Sequence, residues 1–137
     1  MYQDTRGWFW FGTTEGLFRY DGLDYDYFTL ADTTNTDHGG IKAVFEKNDT
    51  IWAGFNNGMI AFCPHPGTAA HGQLYPWEPE EGTPKVPITG FAADPAGNLW
   101  IATYGEGLYV YNGKRLFQFN HDDDGLSSDE IYTIACD

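Results

Sequence analysis

Tyr104 and Glu106 flank a glycine and so put an aromatic face beside a carboxylate on one short segment; Asn56, Asn57, Glu15 and Trp77 offer related groups elsewhere. A carbohydrate site uses that combination: a ring face for the sugar's C–H surface and fixed polar groups for its hydroxyls. These six are the candidate ligand contacts, although Trp77 and its neighbour Tyr75 suit strand packing or a partner surface equally well. Metal chemistry has less footing. Asp122-Asp123-Asp124-Gly125 carries the oxygens calcium prefers without the ordered spacing of a calcium loop, which reads as solvated linker. His38, His65, His71 and His121 are not paired three or four residues apart, so neither a metal nor a cofactor is expected. Ser127-Ser128 lacks the sharp elbow, the histidine and the acid of a nucleophilic serine, and no catalytic residue is assigned.

The charge balance narrows the partners. Twenty acidic residues against seven basic ones leave a net charge of −13 in 137 residues. Phosphate backbones and anionic lipid surfaces both need a basic footprint, so nucleic acid and direct membrane contact are not expected. Neutral or cationic ligands fit this balance, and charge of this kind also serves solubility. Cys63 and Cys136 have no local partner pattern and read as small buried hydrophobes.

The elements that hold these residues follow from an internal repeat. Trp10, Trp52 and Trp100 head three alignable segments, 42 and 48 residues apart. A period of about 45 residues suits a four-stranded propeller blade. Asp4-Thr-Arg-Gly7 and Asp94-Pro-Ala-Gly97 place Asp first and Gly fourth, as a type I turn favours; the second copy shortens this to Lys47-Asn-Asp-Thr50. An apolar-aromatic strand follows each turn, as in Leu99 to Thr103, and a second strand follows a glycine turn, as in Leu108 to Tyr111. Gly12, Gly54, Gly16, Gly58 and Gly107 recur in register and are expected to be structural, as are the three tryptophans, whose recurrence points to packing between blades. No stretch has convincing helical periodicity.

The sequence therefore predicts an all-β chain, a partial β-propeller of about three four-stranded antiparallel blades within one unit, 1–137. Blade one (1–30) is expected to lack its inner strand. Blade two (41–77) contains an irregular insertion (63–87) that holds six of the seven prolines and an outer strand at Gln73 to Trp77. Blade three spans 88–119, and 131–137 forms the inner strand of a further blade. Complete propellers close with about four to eight blades. The chain is thus expected to be a piece of a longer ring, or to associate with a second copy, since its open edges and faces are sticky. The loops between second and third strands (Thr14-Glu15, Asn56-Asn57, Tyr104 to Glu106) should share a face with the links between blades (32–38, 78–85 and 121–129).

In these residues the sequence resembles the two-component regulator propeller repeat. The resemblance rests on Asp94-x-x-Gly97-x-Leu99-Trp100-Ile101, on Gly107-Leu108 with Tyr111, and on the run Gly125-Leu-Ser-Ser-Asp-Glu-Ile131. Ala53 and Ala102 depart from the pattern, Phe55 takes a threonine place, and the insertion has no counterpart. The resemblance implies an extracytoplasmic, periplasmic sensor segment, of the kind found in hybrid histidine kinases of Bacteroidetes, that responds to an oligosaccharide and is not itself an enzyme. A structural or dimerising module without its own ligand is one alternative. The other is a fragment of a carbohydrate-active enzyme, because paired carboxylates depend on separation in space. Against a sialidase, the Asp-to-Gly spacing is longer than that of its Asp-box, and Arg6, Arg19 and Arg115 are the only arginines.

Overall fold

The computed structural model describes residues 1–30, 39–68 and 71–135. The expected 32–38 link, Cys136 and Asp137 lie outside them. Twelve strands form in chain order: β1 (Tyr2–Gln3), β2 (Phe9–Gly12), β3 (Leu17–Tyr20), β4 (Tyr25–Leu30), β5 (Ile41–Lys47), β6 (Thr50–Phe55), β7 (Ile60–Pro64), β8 (His71–Pro76), β9 (Ile88–Ala93), β10 (Leu99–Thr103), β11 (Leu108–Tyr111) and β12 (Leu116–Phe119). Taken in fours, they are three antiparallel meanders. The chain is a partial β-propeller, and the strands β1, β5 and β9 lie innermost around a cavity of about 530 Å³.

Within each blade the strand alternation decides what is buried. Along β10, Leu99, Ile101 and Thr103 turn inward while Trp100 takes the opposite face. One apolar layer lies between blades one and two (Trp10, Leu17, Phe28, Ile41, Ile51, Phe55, Leu74), and another between two and three (Ile60, Ile88, Phe91, Leu99, Ile101). Trp10 and Trp52 face the following blade. Trp10 is fully buried under blade two, and Trp52 packs half-buried in the layer against blade three. Trp100, half-buried, stacks on Phe119 at 6.0 Å. Cys63 sits in the first layer, where burial pushes its thiol pKa up.

Close packing fixes two glycines. A Cβ on Gly12 would lie 2.8 Å from both Cβ and the carbonyl oxygen of Ile41, and one on Gly54 would run into the Ile88 side chain. Blades approach each other across these bare backbones. Ala102 occupies the same place in blade three.

Several expectations are corrected. The first blade has an inner strand after all: Tyr2 pairs with Trp10 and Gln3 with Phe9. Residues 131–135 join no sheet; an isolated antiparallel bridge, Tyr104↔Glu130, leads into them, Ile131 N–H donates to Thr103 O (2.8 Å) and Thr89 Oγ1 to Ile131 O (2.6 Å). The acidic run is one turn of helix, α1 (His121–Asp124). Asn120 caps it by accepting from Asp123 N–H, and Gly125 ends it with φ 77°.

The insertion also has an order of its own. Pro64 and Pro66 cannot continue a tight β7–β8 hairpin, and His65 between them takes a positive φ of 49°. The chain instead swings toward blade one, where β8 pairs in parallel with β4 from Tyr27↔His71 to Leu30↔Leu74. Only then does it return to β7, through Ala61↔Pro76 and Phe62↔Tyr75. Two blades thereby become one eight-stranded sheet.

Candidate functional site

The turns between second and third strands lie against the chain that leads into each blade; the expected 32–38 link is outside the described residues. Each turn between second and third strands is gripped by links between blades: Ile41 N–H donates to Thr13 O (3.1 Å), Asn56 N–H to Gly40 O (3.0 Å) and Tyr104 N–H to Pro87 O (2.9 Å). The glycine that closes each turn has to be glycine. Gly107 has φ 76°, and a Cβ there would collide with Phe119 O.

The six candidate residues divide by what they do. Glu15 is exposed on the first turn, which Thr13 Oγ1 organises by accepting from Glu15 and Gly16 N–H. Asn57 Oδ1 accepts from Met59 N–H (2.9 Å), so that side chain shapes its own turn, and Asn56 packs beside Gly39. Glu106 Oε1 accepts from Tyr109 hydroxyl (2.9 Å) and Lys85 N–H (3.2 Å), fastening the third turn to the link before blade three. Burial and the Glu106 carboxylate together push the Tyr109 pKa up. Trp77 is turned into the structure, edge-on to Trp52 (5.4 Å) and to Tyr111 (4.9 Å). Its ring bridges blades two and three. Among the described residues, no hydrogen bond or ring contact joins the three turns directly to one another.

Tyr104 remains available. The residue is 38% exposed, and its ring meets Tyr132 in a T-shaped contact at 5.3 Å. The Tyr132 hydroxyl and the Glu130 charge beside it push the Tyr104 pKa up to about 12. Beside it, Gly105 and Gly107 N–H both donate to Asp129 O (2.9 Å each), which closes α1's link against the turn. The repeat had placed Tyr132 in an inner strand, so it was not read as a contact. The signal was there: Tyr132 follows Ile131 as Lys42 follows Ile41 and Thr89 follows Ile88, and these three differ in chemistry. Among the described residues no three His, Cys, Asp or Glu side chains converge to hold a metal.

On the opposite side, the aspartates that open two blades do more than turn a corner. Asp4 Oδ1 accepts from Arg6 and Trp8 N–H (2.9 Å each), while Oδ2 accepts from the Trp10 indole (2.8 Å). Asp94 repeats this with Asn98 N–H (2.9 Å) and the Trp100 indole (2.9 Å). The Asp and Trp of the repeat are thus one hydrogen-bonded unit. Residues 82–105 match the model for the two-component regulator propeller. Over that stretch of blade three the chain is similar to the repeat.

Solved structures are similar to the chain over nearly its whole length. The chain is similar to the extracellular domain of a putative hybrid two-component system of B. thetaiotaomicron, at 28% identity and TM-score 0.71, over 98% of this chain and 17% of that one. A second such domain from the same organism matches at 22% identity and TM-score 0.66, over 96% of this chain and 18% of that chain. PorZ of Porphyromonas gingivalis, a surface component of the type-IX secretion system, matches at 20% identity and TM-score 0.73, over 98% of this chain and 22% of that one. The last two share the fold. The chain spans about a sixth of the length of the first of these proteins. No curated protein matches it. Among the described residues no helix is long and apolar enough to cross a membrane.

Proposed function

We propose that this chain is part of the extracytoplasmic, periplasmic sensor propeller of a two-component regulator, and that the ligand sensed is an oligosaccharide. One observation carries the reading: 28% identity, sustained over 98% of the chain at TM-score 0.71, to the extracellular domain of a putative hybrid two-component system. The loop face supports the ligand part. Its turns are alike in backbone and unlike in side chains, which is where a propeller varies specificity on a constant scaffold. Such a sensor acts by binding one signalling arrangement more tightly than the other, because equal affinity shifts no equilibrium. The chemistry of phosphoryl transfer then belongs to another part of the regulator.

The parent reading frame tests this directly. A membrane-spanning segment followed by a histidine kinase is the expected continuation. A parent that joins these blades to a lyase or glycosidase domain, with no kinase, overturns the proposal in favour of a carbohydrate-active enzyme.

A further inference from the structure

We infer that Asn112 is a site of spontaneous modification, at which the side-chain amide is lost as ammonia through attack by the Gly113 backbone nitrogen. The sequence holds two Asn-Gly pairs, Asn57-Gly58 between β6 and β7 and Asn112-Gly113 between β11 and β12. Their side chains are held alike. Asn57 Oδ1 accepts from Met59 N–H (2.9 Å) and Asn112 Oδ1 from Lys114 N–H (2.9 Å), two residues on in both cases. That bond closes a ring which contains the glycine nitrogen, so each amide carbon is folded back toward its own attacking atom. The glycines differ. Gly58 is buried, its N–H donates to Phe55 O (3.1 Å), and a Cβ on it would run into Pro84 O. Its nitrogen is committed to a bond and closely covered. Gly113 is exposed, its N–H has no acceptor among the described residues, and a Cβ there would meet nothing within 4 Å. Arg115 N–H (2.8 Å) also points at Asn112 Oδ1, so two donors face the oxygen on which negative charge develops during attack.

Water and hydroxide complete the chemistry. Hydroxide takes the Gly113 N–H proton, the nitrogen bonds to Asn112 Cγ, and the Cγ–NH2 bond breaks; the leaving group takes a proton from water, which restores hydroxide and releases ammonia. Water then opens the five-membered imide. Breaking the N–Cγ bond leaves aspartate, whereas breaking the bond from nitrogen to the backbone carbonyl carbon leaves isoaspartate, whose main chain runs through Cγ. Blade one shows how the aspartate product fits. Asp21-Gly22 stands where Asn112-Gly113 stands, and Asp21 Oδ1 accepts from Leu23 and Asp24 N–H (2.8 Å each). Isoaspartate instead lengthens the main chain where Asn112 N–H meets Arg115 O (3.2 Å). Asp21 and Gly22 are exposed although blade two follows blade one, so a following blade does not cover this turn.

Peptide mapping by mass spectrometry tests this after incubation of the full chain, folded and in urea, at mildly alkaline and mildly acid pH. In the folded chain Asn112 should convert roughly tenfold faster than Asn57 or more, because Asn57 reacts only after its turn opens. Conversion should be faster at the alkaline pH, and in urea the two sites should react at similar rates. Asn112→Asp should keep the parent's unfolding midpoint, while the isoaspartate form, separated by chromatography, should unfold earlier. Equal rates in the folded chain, or conversion first at Asn57, overturn the assignment. So does an Asn112 that converts in urea and stays intact when folded. An Asn112→Asp chain that unfolds well before the parent overturns the fit of the aspartate product.

Discussion

The two junctions between blades are built from different materials. Between the first and second, strand pairing and charge are added to the apolar layer. There β8 adds to β4 in parallel, and Arg19, 1% exposed, donates to Gly67 O (2.6 Å) and to Asp26 Oδ2 (2.8 and 3.0 Å). Its guanidinium also lies 4.2 Å from the Trp8 ring centre and 5.1 Å from that of Phe28. Farther out, Thr5 bonds Glu46, and Arg6 meets Asp49 at 3.4 Å. Between the second and third, no strand crosses among the described residues. Aromatic and aliphatic side chains do the joining, with Trp77 wedged between Trp52 and Tyr111 over Ile60 and Ile88. Stacked blades need only to bury their faces, so apolar contact suffices for a junction. The strand exchange and the buried arginine are additions, made where the proline-bearing insertion strays from its own blade.

The largest effect should come from Arg19. Replacing it with Met keeps most of the bulk but leaves Asp26, whose side chain is 19% exposed, without its partner. Removing one member of a buried pair costs about 3–5 kcal/mol, which equilibrium urea unfolding would read directly. Adding Asp26→Asn to Arg19→Met should recover part of the loss, since no orphan charge is then left behind. An Arg19→Met chain as stable as the parent would reduce the first junction to apolar packing, like the second.

The next test asks whether the junctions, so different at their outer strands, are equivalent near the axis. Gly12 and Gly54 stand at the same repeat position and meet Ile41 and Ile88 in the same way. Gly12→Ala and Gly54→Ala should therefore each destabilise by about 1–3 kcal/mol, the usual cost of overpacking, and by similar amounts. A large cost at one and none at the other would mean that the blades do not stack by a common rule.

Much of this arrangement was legible in the sequence, for a physical reason. Strand alternation, glycine turns and a recurring tryptophan are local signals, and each blade obeys them locally: β9 to β12 fall close to where composition puts them. What escaped was long-range. Parallel pairing of β8 with β4 depends on where Pro64 and Pro66 send the chain, and no pattern within His71 to Pro76 announces a partner 44 residues earlier. Arg19 looked like one of three unremarkable arginines, because its burial is made by Trp8, Phe28 and Gly67 from three separate segments. The turn pattern places Tyr104 and Glu106 together, while the strand expected at 131–137 gives no sign that Tyr132 meets Tyr104. Trp77 has the right chemistry for a sugar platform, and only packing shows that its ring is already engaged.

The smallest effect sharpens the contrast between turns. Blade two replaces the Asp-led turn with Asn48-Asp49, both at positive φ (51° and 58°), the two-residue hairpin form, so its carboxylate points away to His65 (2.8 Å). Trp52 consequently has no carboxylate on its indole among the described residues. Asp94 does hold the Trp100 indole, and that bond, with those from Asn98, lowers its pKa from 3.8 to about 2. A carboxylate depressed in the folded state contributes stability above its unfolded pKa and loses it as pH falls through the folded value. The gap in melting temperature between the parent and Asp94→Asn should therefore be full at pH 6 and close between about pH 4 and pH 2. In the parent, the indole N–H resonance of Trp100 should shift over the same window while that of Trp52 stays still. A Trp100 resonance that is flat to pH 2, or a Trp52 resonance that moves with it, would erase the distinction between the two kinds of turn.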